Sequence, residues 1–463
     1  MSQAIANTAT LLWSFIIFII IFGGLYFLIY SRFIHYRYFG HGISVLMGKY
    51  YDPKDPGQVS PYEALSTALA STVGMGNIAG VAVAIQLGGP GALFWMWVTA
   101  FIGMSSNFFS STLSVMYRGK DSEGQIQGGP MYVIREALGK EWMPFAMLFS
   151  FCCMIGCLPI FQANQLTQSI LDIGVSSEEI KAMSFSLFGY SIPTLKFIIG
   201  IILTIISGIV ILGGIKRIGY WAGKVVPIMI VLYLVSVVMI LIINISNVPQ
   251  TVYMIFTEAF TATHYHGDPF MGGVVGGLIV AGVRRASFSS EAGVGTSPMA
   301  LGASQSKEPI REGLVSMLSP AIDTLLVCTL TALAILVTDV WKTSDANGVS
   351  LTATAFGNSL GVFGKYLLLT CAFFFSVSSL FSYSYYGSKA LSFMIGVNNS
   401  KYYNYFYLAT IIIGTVSSLT DIINVIDIAF GLMALPTILS TIVLAPKVMQ
   451  EAKRYFSKLK NTP

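Results

Sequence analysis

Ser71-Thr72-Val73-Gly74-Met75-Gly76-Asn77-Ile78-Ala79-Gly80 interrupts the apolar run at 60–83, and the reading of that interruption decides the fold. Each glycine in a helix interior costs about 1 kcal/mol relative to alanine, so this stretch is a poor helix in the middle of a membrane-length segment. A second cluster, Gly272-Gly273-Val274-Val275-Gly276-Gly277, lies in the apolar run at 268–287. Glycine also serves close helix contacts in membranes, and either cluster alone has that ordinary explanation. The pair carries more. They fall in the second and seventh apolar runs, five apart and crossing in opposite senses. That is the expectation for an inverted repeat whose two units each open with a discontinuous helix.

The rest of the chain agrees with a membrane. Of 463 residues, 54% are hydrophobic and 10% charged, with mean hydropathy +0.72, whereas about a quarter of a soluble domain is charged. Runs near the 20 residues needed to cross a bilayer fall at 10–31, 60–83, 91–117, 143–170, 196–214, 226–246, 268–287, 312–337, 358–387, 402–418 and 422–445. The predicted fold is all-α and polytopic, with about eleven transmembrane helices. Segment 1–59 holds an extra N-terminal helix and a cytoplasmic interfacial stretch. Segments 60–246 and 247–445 are the two five-helix units, and 446–463 is a basic cytoplasmic tail. The leader Ser2 to Thr10 lacks the basic start and small-residue cleavage site of a signal peptide, so the first helix is expected to be retained.

Lysine and arginine crowd every second loop: Arg32 to Lys54, Arg118 to Lys140, Lys216 to Lys224, Arg284 to Arg311, and the tail. The opposite loops carry Asp172, Glu178, Glu179, Glu258, Asp268 and Asp339. This asymmetry predicts the N-terminus outside and the C-terminus inside. It also accounts for the net charge of +5 without a nucleic-acid partner. The loops at 32–59 and 119–142 are too polar to cross and read as short interfacial helices. Cys152, Cys153, Cys157, Cys328 and Cys371 all sit in apolar runs and read as buried thiols, with neither a disulfide framework nor a metal set.

A helix broken at mid-membrane frees backbone N–H and C=O groups, which is tolerable only around a cavity. The N–H end suits a carboxylate and the freed carbonyls suit Na⁺. The expected ligands are a small zwitterion and a transported monovalent cation, with no organic cofactor and no obligatory protein partner. Asp323 and Asp427 lie within spans, where a carboxylate costs about 2.5–3.5 kcal/mol and must be partnered or functional. Asp323 is a candidate coupling site. Arg285 and Glu291, placed near the cytoplasmic mouth, are candidates for a gate pair. His264 and His266 read as solvated loop residues. A channel would need repeated pore-lining elements, and an intramembrane enzyme a nucleophile beside a base; neither pattern is present. A proton-coupled carrier and a non-transporting sensor on the same fold are the remaining alternatives.

At these residues the chain resembles the alanine or glycine:cation symporter family over roughly 60–445. The resemblance is carried by GMGNIAGVAVAIQLGGPGALFWMW (74–97), YRGKD with GGPMY (117–132), GVRRASFSSEAGVGTSP (282–298) and IDIAFGLMALP (426–436). It implies a LeuT-like fold with one preceding helix, in a prokaryotic plasma membrane, and sodium-coupled uptake of alanine, glycine or serine. It further implies that Met75 and Gly76 offer N–H groups to the substrate carboxylate beside Asn77, with Gln162 and Tyr383 lining the pocket. Gly276 and Gly277, at the second cluster, would face the same ligand. Ala70 and Val73 carbonyls with the Ser378 and Ser379 hydroxyls would hold sodium. The chain departs from the family pattern at Met75 (usually a small hydroxylated residue), at Tyr383 (usually tryptophan), and at Asn107 and Ser110 (commonly lysine and glutamate). Where the family has NEAG it has Ser290-Glu291-Ala292-Gly293.

Overall fold

The second apolar run begins as a helix because its first turn is closed by side chains. Ser60 Oγ accepts from the Glu63 N–H at 3.2 Å, and the Glu63 carboxylate accepts from the Ser60 N–H at 2.9 Å, with Pro61 at the first helical position. This reciprocal capping satisfies two N–H groups that have no partner within the helix. Helix runs Pro61–Thr72, breaks, and resumes over Gly76–Gly80 and Val81–Gly88. The two halves meet at 46°.

The structure, a computed structural model, describes residues 2–174, 184–187, 190–267 and 273–460. Among these, eight helices are long and apolar enough to cross a membrane, and the bent pair just described makes a ninth. Helices Gly273–Ser290 and Val397–Val416 occupy two further expected positions. Large aliphatic side chains such as Ile205, Ile209, Val231 and Ile242 stand exposed on the outer helices. That surface is untenable in water and natural against lipid. The Val349–Ile395 helix turns at Gly361, whose φ of 63° is left-handed, so 349–360 and 362–395 are two separate arms.

The loops hold short elements. Helices Ile34–Arg37 and Phe39–Leu46 follow the first span, as expected. The 119–142 stretch combines a two-residue hairpin, Gly119–Lys120 with Ile126–Gln127, and a helix over Pro130–Ala137. A second antiparallel hairpin pairs Ser184–Leu187 with Tyr190–Pro193. Both hairpins depart from an all-helical chain. Glu178, Glu179, Asp268 and Gly272 lie outside the described residues.

The seventh span corrects the sequence reading. Helix Gly273–Ser290 passes unbroken through Gly276 and Gly277, both buried. The break comes one span-length later, over 291–296, before helix Ser297–Leu301. Its cause is backbone handedness: Glu291, Gly293 and Gly295 have φ of 52°, 80° and 107°. Glycine within the helix serves contact instead, as Gly282 shows: a Cβ there would lie 2.6 Å from Trp95 Cβ.

Candidate substrate and cation site

Both breaks face each other at the centre of the molecule. A Cβ on Gly76 would sit 3.3 Å from the Phe288 ring and 3.6 Å from Ser289 Cα, so the second half of the broken helix packs on the end of Gly273–Ser290. The first half packs on Ser297–Leu301.

Around the first break the peptide groups are redirected. In a continuous helix the Gly74 N–H would serve the Ala70 carbonyl; here it donates to Thr72 O at 2.9 Å and to Asn77 Oδ1 at 3.2 Å. The Asn77 N–H, due to the Val73 carbonyl, donates to Gly74 O at 3.0 Å. Ala70 and Val73 thus lose their regular partners, and both residues are fully buried. The Met75 N–H donates to Gln162 Oε1 at 3.0 Å, which brings Gln162 to the break as expected. Ser379 is equally close: a Cβ on Gly74 would be 2.3 Å from its hydroxyl. In this structure Ser378 and Ser379 both donate to Phe375 O, at 3.1 and 2.9 Å.

Asp323 is partnered. Its carboxylate accepts from Asn77 Nδ2 at 2.6 Å, Ser289 Oγ at 2.9 Å and Thr324 Oγ1 at 2.8 Å. It therefore ties both broken helices to Pro309–Val337. Glu291 is buried at the start of the second break, where the hydroxyls of Thr296, Tyr383 and Ser71 face it.

The expected pairing of Arg285 with Glu291 is not what forms. Arg284 Nε lies 2.5 Å from Asp427 Oδ2, and Arg285 binds the same oxygen. Both arginines are helical residues, not loop residues, because this buried ion pair compensates their charge. They line a cavity of about 370 Å³ together with Thr10, Trp13, Leu87, Gly277 and Asn424. That cavity opens at the face where the first helix begins, so the pair lies toward that face and not at the opposite mouth. Gly277 belongs to this vestibule, not to the break.

The opposite face is closed. Arg118 Nε donates to Gly302 O at 2.9 Å, its terminal nitrogens reach Pro56 O at 3.1 Å and Ser306 O at 2.8 Å, and Ser304 O accepts a further bond. Gln58 N–H donates to Ala303 O and Gln305 N–H to Val59 O, each at 2.7 Å. The chain entering the first broken helix is thereby stitched to the chain leaving the second.

The chain matches the sodium:alanine symporter family model over residues 1–463. It belongs to that family. The sodium/alanine symporter AgcS of Methanococcus maripaludis is 34% identical over 91% of this chain and 89% of its own length. The probable sodium/glutamine symporter GlnT of Bacillus subtilis is 31% identical over 96% and 88%. Among solved structures, MhsT in complex with L-phenylalanine superposes with TM-score 0.59 at 15% identity, covering 85% of this chain and 98% of that one. At that identity the likeness shows the fold, which is LeuT-like. The protein is a membrane transporter for amino acids in a family of sodium symporters, not an enzyme.

Two residues of the site, and the partners of a third, escaped sequence reasoning. Phe288 lies between the two breaks, its ring 4.9 Å from Phe161 and 5.9 Å from Phe430, and the Arg285 guanidinium stands 5.5 Å above it. Tyr386, one turn beyond Tyr383, has its hydroxyl 3.3 Å from Ser71 Oγ. Asp427 was expected to be partnered, and its partners are Arg284 and Arg285. Phe288 sits inside the family-like stretch 282–298, which was the available signal. Asn107 and Ser110 are buried, and the Asn107 amide nitrogen has no hydrogen-bond partner. His264 stands with its side chain 41% exposed and Nδ1 3.1 Å from Glu258 Oε1.

Proposed function

We propose that this protein is a sodium-driven symporter of a small neutral amino acid of the alanine, glycine or serine class. It works by alternating access in a prokaryotic plasma membrane, with the N-terminus outside and the C-terminus inside. Eleven spans are arranged as one extra helix and two inverted five-helix units. The observation that carries the reading is the break at 73–75, where N–H and C=O groups leave their helical partners beside Gln162 and Ser379. Sodium is held by the Ala70 and Val73 carbonyls with Ser378 and Ser379. The substrate carboxylate takes the N–H groups of Met75 and Gly76, displacing Gln162 Oε1 from the Met75 N–H. Asn77, Tyr383 and Phe288 complete the pocket, and Gly276 and Gly277 leave it. Asp427 with Arg284 and Arg285 gates the outer side, and the Arg118 network closes the inner one.

Proton coupling through Asp323 is the second reading, favoured by the burial of that carboxylate at the junction of both breaks. Uptake of labelled alanine, glycine and serine into liposomes separates the two. Accumulation should follow an imposed sodium gradient. Equal uptake with sodium, potassium or choline outside, at fixed pH and voltage, rejects sodium coupling.

A further inference from the structure

Glu291 is the one residue of the second break whose chemistry is left open by everything above. Its side chain is fully buried, and neither carboxylate oxygen makes a hydrogen bond of proper geometry. Thr296 Oγ1, also fully buried, is in the same condition. The groups that face the carboxylate are neutral hydroxyls of Ser71, Thr296 and Tyr383, and the charge it feels is another carboxylate, Asp323. No described arginine or lysine is paired with it. Arg285 is committed to Asp427, and Lys389 donates to Met299 O at 2.9 Å and to Tyr385 Oη at 3.0 Å. Its backbone φ of 52° is a left-handed conformation that an ordinary side chain adopts at a cost. Such strain persists where surrounding structure enforces it, commonly at ligand sites.

The surroundings are matched to a positive group. Gly273–Ser290 ends immediately before Glu291, so the negative end of its dipole points at the same place. An anion buried without compensation is costly, and a small cation arriving here removes that cost. The position relative to the first break identifies the cation. Gly76, whose N–H is assigned to the substrate carboxylate, packs on Phe288 and Ser289, three and two residues before Glu291. Tyr383, assigned to the pocket, faces Glu291 itself. A zwitterion anchored by its carboxylate at 75–76 presents its ammonium to this carboxylate.

We propose that Glu291 is the counter-ion for the ammonium group of the transported amino acid, with Ser71, Thr296 and Tyr383 shaping the subsite. This rests on the amino-acid symport reading and deepens it. The recognition is then two-ended: backbone N–H at one broken helix for the carboxylate, and a side-chain anion at the other for the amine. The proposal explains why the break begins with a charged residue where glycine would satisfy the backbone alone.

The test uses full-length protein with L-alanine, propionate (the same molecule without its amine) and ²²Na⁺ as probes. Wild type should prefer L-alanine strongly to propionate. Glu291→Gln should weaken L-alanine binding by about 10- to 100-fold, the range for losing a hydrogen bond to a charged group, and should shrink the alanine-to-propionate preference by that factor. ²²Na⁺ binding without amino acid should persist. Glu291→Asp, which keeps the charge, should retain a larger share of the preference, and it carries the test if the glutamine variant fails to fold. Three results overturn the proposal: unchanged L-alanine affinity in Glu291→Gln, equal loss of L-alanine and propionate, or loss of ²²Na⁺ binding in the absence of amino acid. A wild type that binds no neutral amino acid strikes the transport reading itself, and this role with it.

Discussion

Gly74→Ala tests the geometry on which sodium coordination depends. A Cβ at residue 74 would lie 2.3 Å from Ser379 Oγ, more than 1 Å inside the 3.4 Å at which ordinary contact begins. Its next neighbours are the Gln162 side-chain atoms at 3.4 Å, which need not move. The conflict is therefore confined to one hydroxyl. Relieving it means parting the first break from the 362–395 arm or turning Ser379 away. Forced packing of this kind costs about 1–3 kcal/mol, or roughly 5- to 150-fold in the half-saturating sodium concentration. In the Ser379→Ala background the hydroxyl is absent, and the same alanine at 74 should cost less than about 1 kcal/mol. Alanine uptake against sodium concentration, measured for wild type, both single variants and the double, gives the coupling energy directly. If Gly74→Ala costs as much without the Ser379 hydroxyl as with it, the placement of Ser379 against the break is wrong.

Three other outcomes are expected. Arg118→Lys keeps the charge but loses the planar fork that serves four carbonyls; it should favour opening of the inner face, seen as faster modification of a cysteine introduced at Ser304, and an unchanged rate would dismiss the seal. Asp427→Asn leaves the buried Arg285 and the half-buried Arg284 guanidinium without a counter-charge and should destabilise the protein by about 3–5 kcal/mol, read as a fall in thermal midpoint that Arg285→Gln does not exceed. His35 lies outside the spans in helix Ile34–Arg37, where burial lowers its pKa to about 4 from the ordinary 6.5. The unfolded chain then takes up a proton first as pH falls, so stability should drop between about pH 6.5 and 4, by at most about 3 kcal/mol. His35→Gln should remove that part of the acid loss, and thermal midpoints at pH 7, 5.5 and 4 that slope identically in both proteins would refute it.

The first break was legible because glycines at 74, 76 and 80 weaken a helix whose flanks are apolar. The second was not, since the same rule pointed to 272–277, where glycine serves contact with neighbouring helices. The true break is signalled by backbone handedness at Glu291, Gly293 and Gly295, which composition does not encode. Arg284 and Arg285 misled for a related reason. Two adjacent arginines look like a loop until their counter-ion is known, and Asp427 lies 143 residues from Arg284 along the chain. Gln162 and Ser379 were placed by family resemblance, and both stand at the break. Asp323 was readable as a carboxylate needing partners, but Asn77, Ser289 and Thr324 come from three different segments.

All five cysteines are buried and free. With its native thiols covered, a cysteine introduced in place of Asn424 would report on the vestibule while all five native cysteines stay where they are. Two of the native thiols carry information of their own. Cys153 Sγ lies 3.9 Å from Met299 Sδ and 3.8 Å from both Tyr386 O and Cys157 Sγ, wedged where the Ser297–Leu301 helix meets the 362–395 arm. Any movement that parts those two elements uncovers Cys153 and Cys157 together. Their reaction with a membrane-permeant maleimide, followed as sodium and amino acid are added or withdrawn, would then time the opening of the far side in a chain carrying no label and no substitution. A rate indifferent to both ligands would mean that those elements stay joined throughout the cycle.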